Sequence, residues 1–182
     1  IKNGKMEALN TALYGYVNNG LSTLPTSEQI YDPDKFFIDE RYEELVVEMI
    51  EVDGFTMIDE GSVGALDLVY LMQDKIGQKM AVNAAIGIGG GAWKDYVNDS
   101  GELLMTLKLS GDDSTELQEI YDAFILWAEA QSRFDGVDSL VGGNLFTGKT
   151  NFWISKDQSS IRIVLSQNLD LLYSINSQLK DF

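Results

Sequence analysis

The sequence predicts an α+β fold, with N-terminal helices packed on a C-terminal antiparallel sheet that runs as a meander. Three observations predict it. Apolar residues recur at helical spacing through much of the first two thirds, the last third alternates like strands around a polar turn, and no strand–helix–strand repeat intervenes. With 182 residues, 45% of them apolar, the chain can bury a core of its own. No linker or low-complexity tract divides it, so one domain over residues 1–182 is expected.

Met6, Leu9, Leu13 and Val17 fall on one face of a helix over Ile1–Val17, and Asn18–Gly20 ends it, because Asn and Gly tolerate the left-handed conformation of a helix stop. A loop around Pro25 follows. Ile38, Tyr42, Leu45, Val46, Met49 and Ile50 form a stripe that predicts a second helix over Asp39–Val52, with Glu40, Glu43, Glu44, Glu48 and Glu51 on its outer side. A third helix is expected over Ser62–Met80, with Val63, Leu66, Val69, Tyr70, Gln73 and Ile76 on or near one face. The small residues of "GIGGGA", 87–92, suggest a flexible loop or a close crossing of backbones. Glu102–Ser110 alternates as a strand. Ser114–Gln131 reads as a strong helix, opened by Asp113 with Glu116 at capping-box spacing, and Leu117, Tyr121, Phe124, Ile125 and Ala128 face the core. "TNFWIS" and "SIRIVLS" make a hairpin around "KDQS", and "NLDLLYSI" is either a third strand or a short terminal helix.

Composition removes whole classes of chemistry. The chain has no histidine and no cysteine, which excludes Ser-His-Asp and Cys-His catalysis, imidazole or thiolate metal sites and disulfides. A net charge of −16 repels phosphate backbones and anionic lipid, so nucleic acid is not an expected partner. No cofactor is expected. The chain has no run of about 18 apolar residues. It begins at Ile1 rather than Met, so a removed leader or hydrophobic segment upstream is expected.

One motif points the other way. Gly143–Thr150 matches G-x-x-x-x-G-K-[ST], the phosphate-cradling loop, with Lys149 and Thr150 in its functional positions. That mechanism needs a helix directly after the loop, whereas "NFWISKDQSSIRIVLS" alternates as strands, so a turn entering an edge strand is the better reading. The remaining candidates are acidic or aromatic. Asp32 and Asp34 in one loop, and Asp135 and Asp138 in another, are weak calcium candidates, although the EF-hand glycine and spacing are missing. Trp93, beside the glycine run, is a candidate partner contact, since Trp is over-represented among binding hot spots.

The segment "ALNTALYGYVNNGLSTLP" and the strand-then-helix unit "LLMTLKLSGDDSTELQEIYDAF" resemble the head domain of type IV pilins and pseudopilins. The resemblance implies a non-enzymatic extracellular or cell-surface subunit that assembles with other subunits through its N-terminal helix and meets the membrane only through a segment preceding Ile1. It transfers no catalytic residue. The alternative is an intracellular acidic binding protein, of inhibitor or immunity type, that occupies a basic partner surface through Glu40, Glu44 and Glu48.

Overall fold

The computed structural model describes residues 26–32, 34–35, 42–131, 138–140, 143–175 and 178. The predicted helix over Ile1–Val17 lies outside them. Helix α1, Ser27–Tyr31, opens on a capping box in which Thr26 and Gln29 exchange side-chain-to-backbone bonds of 3.2 and 3.0 Å. The remaining elements run β1 (Phe55–Ser62), α2 (Ala65–Ile76), α3 (Gln78–Ala85), β2 (Ile88–Asn98), β3 (Leu103–Gly111), α4 (Ser114–Gln131), β4 (Asp138–Leu140), β5 (Gly143–Phe146), β6 (Asn151–Lys156), β7 (Ile161–Ser166) and α5 (Leu169–Ser174).

All the described strands join one seven-stranded sheet in the order β1-β2-β3-β7-β6-β5-β4, and every neighbouring pair is antiparallel. The α+β class therefore holds. The finer layout does not: β1 precedes α2 and α3, and α4 carries the chain from β3 in mid-sheet to β4 at the far edge. Two meanders meet at β3–β7 instead of one running through.

The sheet is buried on both faces, which follows from the pleat. On β3, Leu107 and Leu109 point toward α2, α3 and α4, while Leu104 points the other way; on β6, Phe152 and Ile154 oppose Trp153 in the same sense. The first face carries the larger core. There α4 contributes Leu117, Ile120, Phe124, Trp127 and Ala128 at i, i+3, i+4 spacing. Burial of Leu117, Ile120 and Phe124 stabilises by about 1.5–3 kcal/mol each. Asp113 caps the helix as expected, accepting bonds from the amides of Thr115 and Glu116 at 2.7 and 2.9 Å.

The opposite face is covered by α5 and by an extended strap over Tyr42–Val52, where a helix was expected. Of the expected stripe Ile50 is buried but Val46 and Met49 are 74% and 65% exposed, while Val47, outside that stripe, is buried. The strap is fixed by tertiary bonds that no helix could make. The amide of Glu43 donates to Gly89 O at 2.6 Å, that of Ile50 donates to the Tyr96 hydroxyl at 3.3 Å, and Glu51 exchanges bonds with the Gln178 side chain. Five glutamates within one short helix would also repel one another.

Two further expectations are corrected. Ser62 ends β1, and the predicted third helix is two helices separated by Gly77 at φ 84°. Its buried face is Ala65, Leu68, Val69 and Met72, so Leu66 and Tyr70 point outward. The glycine run is strand β2 rather than a loop, but the close crossing is real: a Cβ on Gly90 would stand 2.1 Å from the Glu43 carbonyl oxygen of the strap. "NLDLLYSI" is the helical alternative, capped by Asn168 on the amides of Asp170 and Leu171.

Candidate functional site

The phosphate-loop match folds as a hairpin. Its Gly143–Phe146 portion is β5, which pairs antiparallel with β6, and the chain turns between them at Gly148–Thr150. Strand β6 follows where a phosphate loop requires a helix, and Lys149 is exposed to solvent. Of the calcium candidates, only Asp32, Asp34 and Asp138 fall among the described residues. Asp32 accepts the amide of Asp34 at 3.2 Å, a local turn bond. Asp138 lies on strand β4 rather than in a loop, and Asp135 lies outside the described residues, as does Glu40. Among the described residues no group of three or more carboxylates is placed to hold a metal ion.

A groove opens where the strap passes the edge of the sheet. Strand β1 pairs with β2 alone, and no described strand lies on its other side. It carries a bulge between Met57 and Asp59, with Met57 and Ile58 37% and 56% exposed and Asp59 and Glu60 in solvent. Bulges and charges on an edge oppose indiscriminate pairing. Between this strand and the strap runs an open groove of about 630 Å³, lined by Tyr42, Glu44 and Val46 on one side and Glu60 and Ser62 on the other. Lys94 is the one cation in that lining among the described residues, and its Nζ stands 3.6 Å from Glu60.

Tyr42 anchors the groove wall. Its hydroxyl accepts the Gly91 amide at 2.8 Å and also bonds the carbonyls of Gly91 and Val63. Burial pushes its phenol above the usual value against the pull of those backbone bonds. Glu43 and Glu44 remain in solvent, but Glu48 bonds Lys108 at 2.6 Å. Burial pushes the Glu48 carboxyl up, and the Lys108 bond and charge outweigh it, leaving the group below its ordinary range. The described members of the acidic stripe, Glu43, Glu44, Glu48 and Glu51, thus lie on an extended strap, and Glu48 is already paired with Lys108.

Trp93 sits on β2, half-buried against the larger core, rather than in a glycine loop. Its indole crosses Gly61 of β1, where a Cβ would lie 2.9 Å from Nε1. It separates the groove from a second cavity of about 260 Å³ between the sheet and the helices α2 and α4. Beside it, Asp95 faces Asp59 across the β1–β2 pair. Burial first, and then the Asp59 charge, raises the Asp95 carboxyl above its ordinary value. Sequence reading missed both the edge strand and the cavity. The run "FTMI" carried the strand signal in its aromatic and β-branched residues.

No protein-family model matches this chain, and no curated protein or solved structure matches it. Among the described residues no helix is long and apolar enough to cross a membrane.

Proposed function

We propose that this chain is a non-enzymatic interaction subunit whose open β1 edge takes up an extended, basic segment of a partner protein. The observation that carries the reading is the edge itself: a strand of eight residues with one free side among the described residues, bordered by a groove whose carboxylates outnumber its single lysine. Backbone pairing supplies affinity in such strand addition, and flanking side chains supply selectivity. A second copy of the chain is a poor occupant, because each copy carries a net charge of −16 and full-length antiparallel β1–β1 pairing sets Asp59 and Glu60 opposite Ile58 and Met57, where no cation meets them. A strand bearing Lys or Arg meets opposite charge instead, and Met57 and Ile58 give it apolar contact.

This reading joins the two sequence expectations, an interaction subunit and an acidic binder of basic surfaces. Its pilin-like version adds an extracellular setting and self-assembly through Met6, Leu9, Leu13 and Val17, which lie outside the described residues. The test is calorimetric titration with an extended peptide alternating Lys with Val or Thr, against its Glu-for-Lys counterpart, at two salt concentrations. The basic peptide binds and weakens with salt, and Asp59→Asn or Glu60→Gln each lowers affinity about 2- to 5-fold, as expected of rim charges. Equal binding of both peptides, or binding indifferent to both substitutions, refutes the proposal.

A further inference from the structure

The cavity between the sheet and the helices has a character distinct from the groove. Its floor is Trp93, Met105, Leu107 and Ile163 from β2, β3 and β7, and its roof is Leu68, Leu71, Phe124 and Trp127 from α2 and α4. Leu68, Phe124 and Ile163 are fully buried, while Leu71 is 42% exposed and marks an opening. The indole Nε1 of Trp127 is already donated to Leu71 O at 2.9 Å, so the indole brings no free donor inside. Apolar atoms seated in a hollow lined this way gain contacts with walls that otherwise lack partners on that side. An apolar void of about 150 Å³ accepts benzene. The present volume of about 260 Å³ takes a larger body, such as a medium alkyl chain or a fused aromatic pair.

Among the described residues, the polar lining of this cavity is Asp67 and Ser62, both exposed, with one carboxylate and no lysine or arginine. Asp67 uses Oδ2 to accept the Gly64 amide at 2.9 Å, which leaves its other oxygen for a ligand. Asp95 stands across from Met105 on the same face of the sheet as Trp93, with Asp59 beside it, and so adds a carboxylate pair next to the floor. We propose that this cavity binds a small amphiphile with an apolar body inside and a single amine cation held at Asp67. Charge complementarity selects the head: a carboxylate or phosphate head would meet Asp67 and the net charge of −16. This inference does not depend on the β1 edge proposal, because Asp67 and Leu71 lie on α2.

Three probes of one chain length separate body from head: octylamine, octanol and octanoate, titrated by calorimetry and followed by tryptophan fluorescence, since Trp93 and Trp127 line the cavity. Octylamine binds at one site per chain, octanol binds about 5-fold or more weaker, and octanoate weaker still. Asp67→Asn keeps an oxygen for the Gly64 amide, so the fold survives, and it lowers octylamine affinity about 3- to 10-fold without changing octanol. Leu71→Trp, at a partly exposed position, fills the opening and removes binding of all three; circular dichroism and melting checks that both variants are folded. Absence of octylamine binding up to millimolar concentration overturns the proposal. So does equal affinity for octylamine and octanol, or saturable binding that survives Leu71→Trp in the folded protein.

Discussion

Gly90→Ala adds a single methyl group and tests the most unexpected element, the strap. The new Cβ would stand 2.1 Å from Glu43 O, 3.0 Å from Glu43 C and 3.1 Å from Glu43 Cβ. Ordinary carbon–oxygen contact requires the strap backbone to withdraw by about 1 Å or more. Withdrawal takes the Glu43 amide, now 2.6 Å from Gly89 O, beyond bonding distance. It also strains the Tyr42 hydroxyl, which bonds the Gly91 amide at 2.8 Å. Two or three backbone-linked bonds at about 0.5–1.5 kcal/mol each, with partial unpacking of Val47, give a loss of about 2–4 kcal/mol. For a domain of this size that lowers Tm by roughly 5–15 °C. Denaturant titration with hydrogen exchange at the Glu43 and Gly91 amides measures both the energy and its location. A loss below about 0.5 kcal/mol, with exchange unchanged at these amides, refutes the strap crossing.

Other substitutions give separate tests. Trp127→Phe removes the bond to Leu71 O and alters the edge contact with Phe152 at 4.9 Å, so denaturant unfolding shows a loss of about 1.5–3 kcal/mol. Asp95 has a raised carboxyl pKa, so its folded form binds the proton more tightly than the unfolded chain does. Stability then falls as pH rises through the window from the ordinary Asp value of about 3.9 to the raised one, and Asp95→Asn is more stable than the parent at neutral pH in parallel melts. Asp157 behaves in the opposite sense. Burial pushes its carboxyl up, but the Ser159 and Ser160 amides, the Ser159 hydroxyl and the Arg162 charge outweigh it, leaving it depressed. Its stabilisation is present above the ordinary Asp range and is lost as pH falls below about 3.9, so Asp157→Ala flattens the acid limb of the stability profile.

The elements legible in the sequence were those whose own neighbours determine them. Ser114–Gln131 has a cap, a continuous apolar face and acidic residues at its start, and the structure reproduces its limits. The β6–β7 hairpin combines β-branched and aromatic runs with a turn in which Asp157 accepts two amides. The illegible elements were those set by distant partners. Val47 and Ile50, three apart, fit a helix as well as they fit a strap whose course is dictated by Gly89 and Gly91 on another element. The glycine run looked like a loop because its small residues answer to a backbone that crosses β2 from far along the chain. Strand β1 was hidden because, at an edge, most of its side chains meet water and its alternation is lost. The site was hard to read for the same reason. The groove and the cavity exist only once β1, β2 and the strap are brought together, although Trp93, singled out for its neighbourhood, does lie between them.

The central claim is that the β1 edge receives a basic strand, and amide exchange in the full chain tests it most directly. With the Lys-alternating peptide bound, the account predicts added protection along Phe55–Ser62 together with shifts at Glu44 and Glu60, and none of this with the acidic peptide. Protection that appears only away from β1, or an unchanged β1 at saturating peptide, contradicts it.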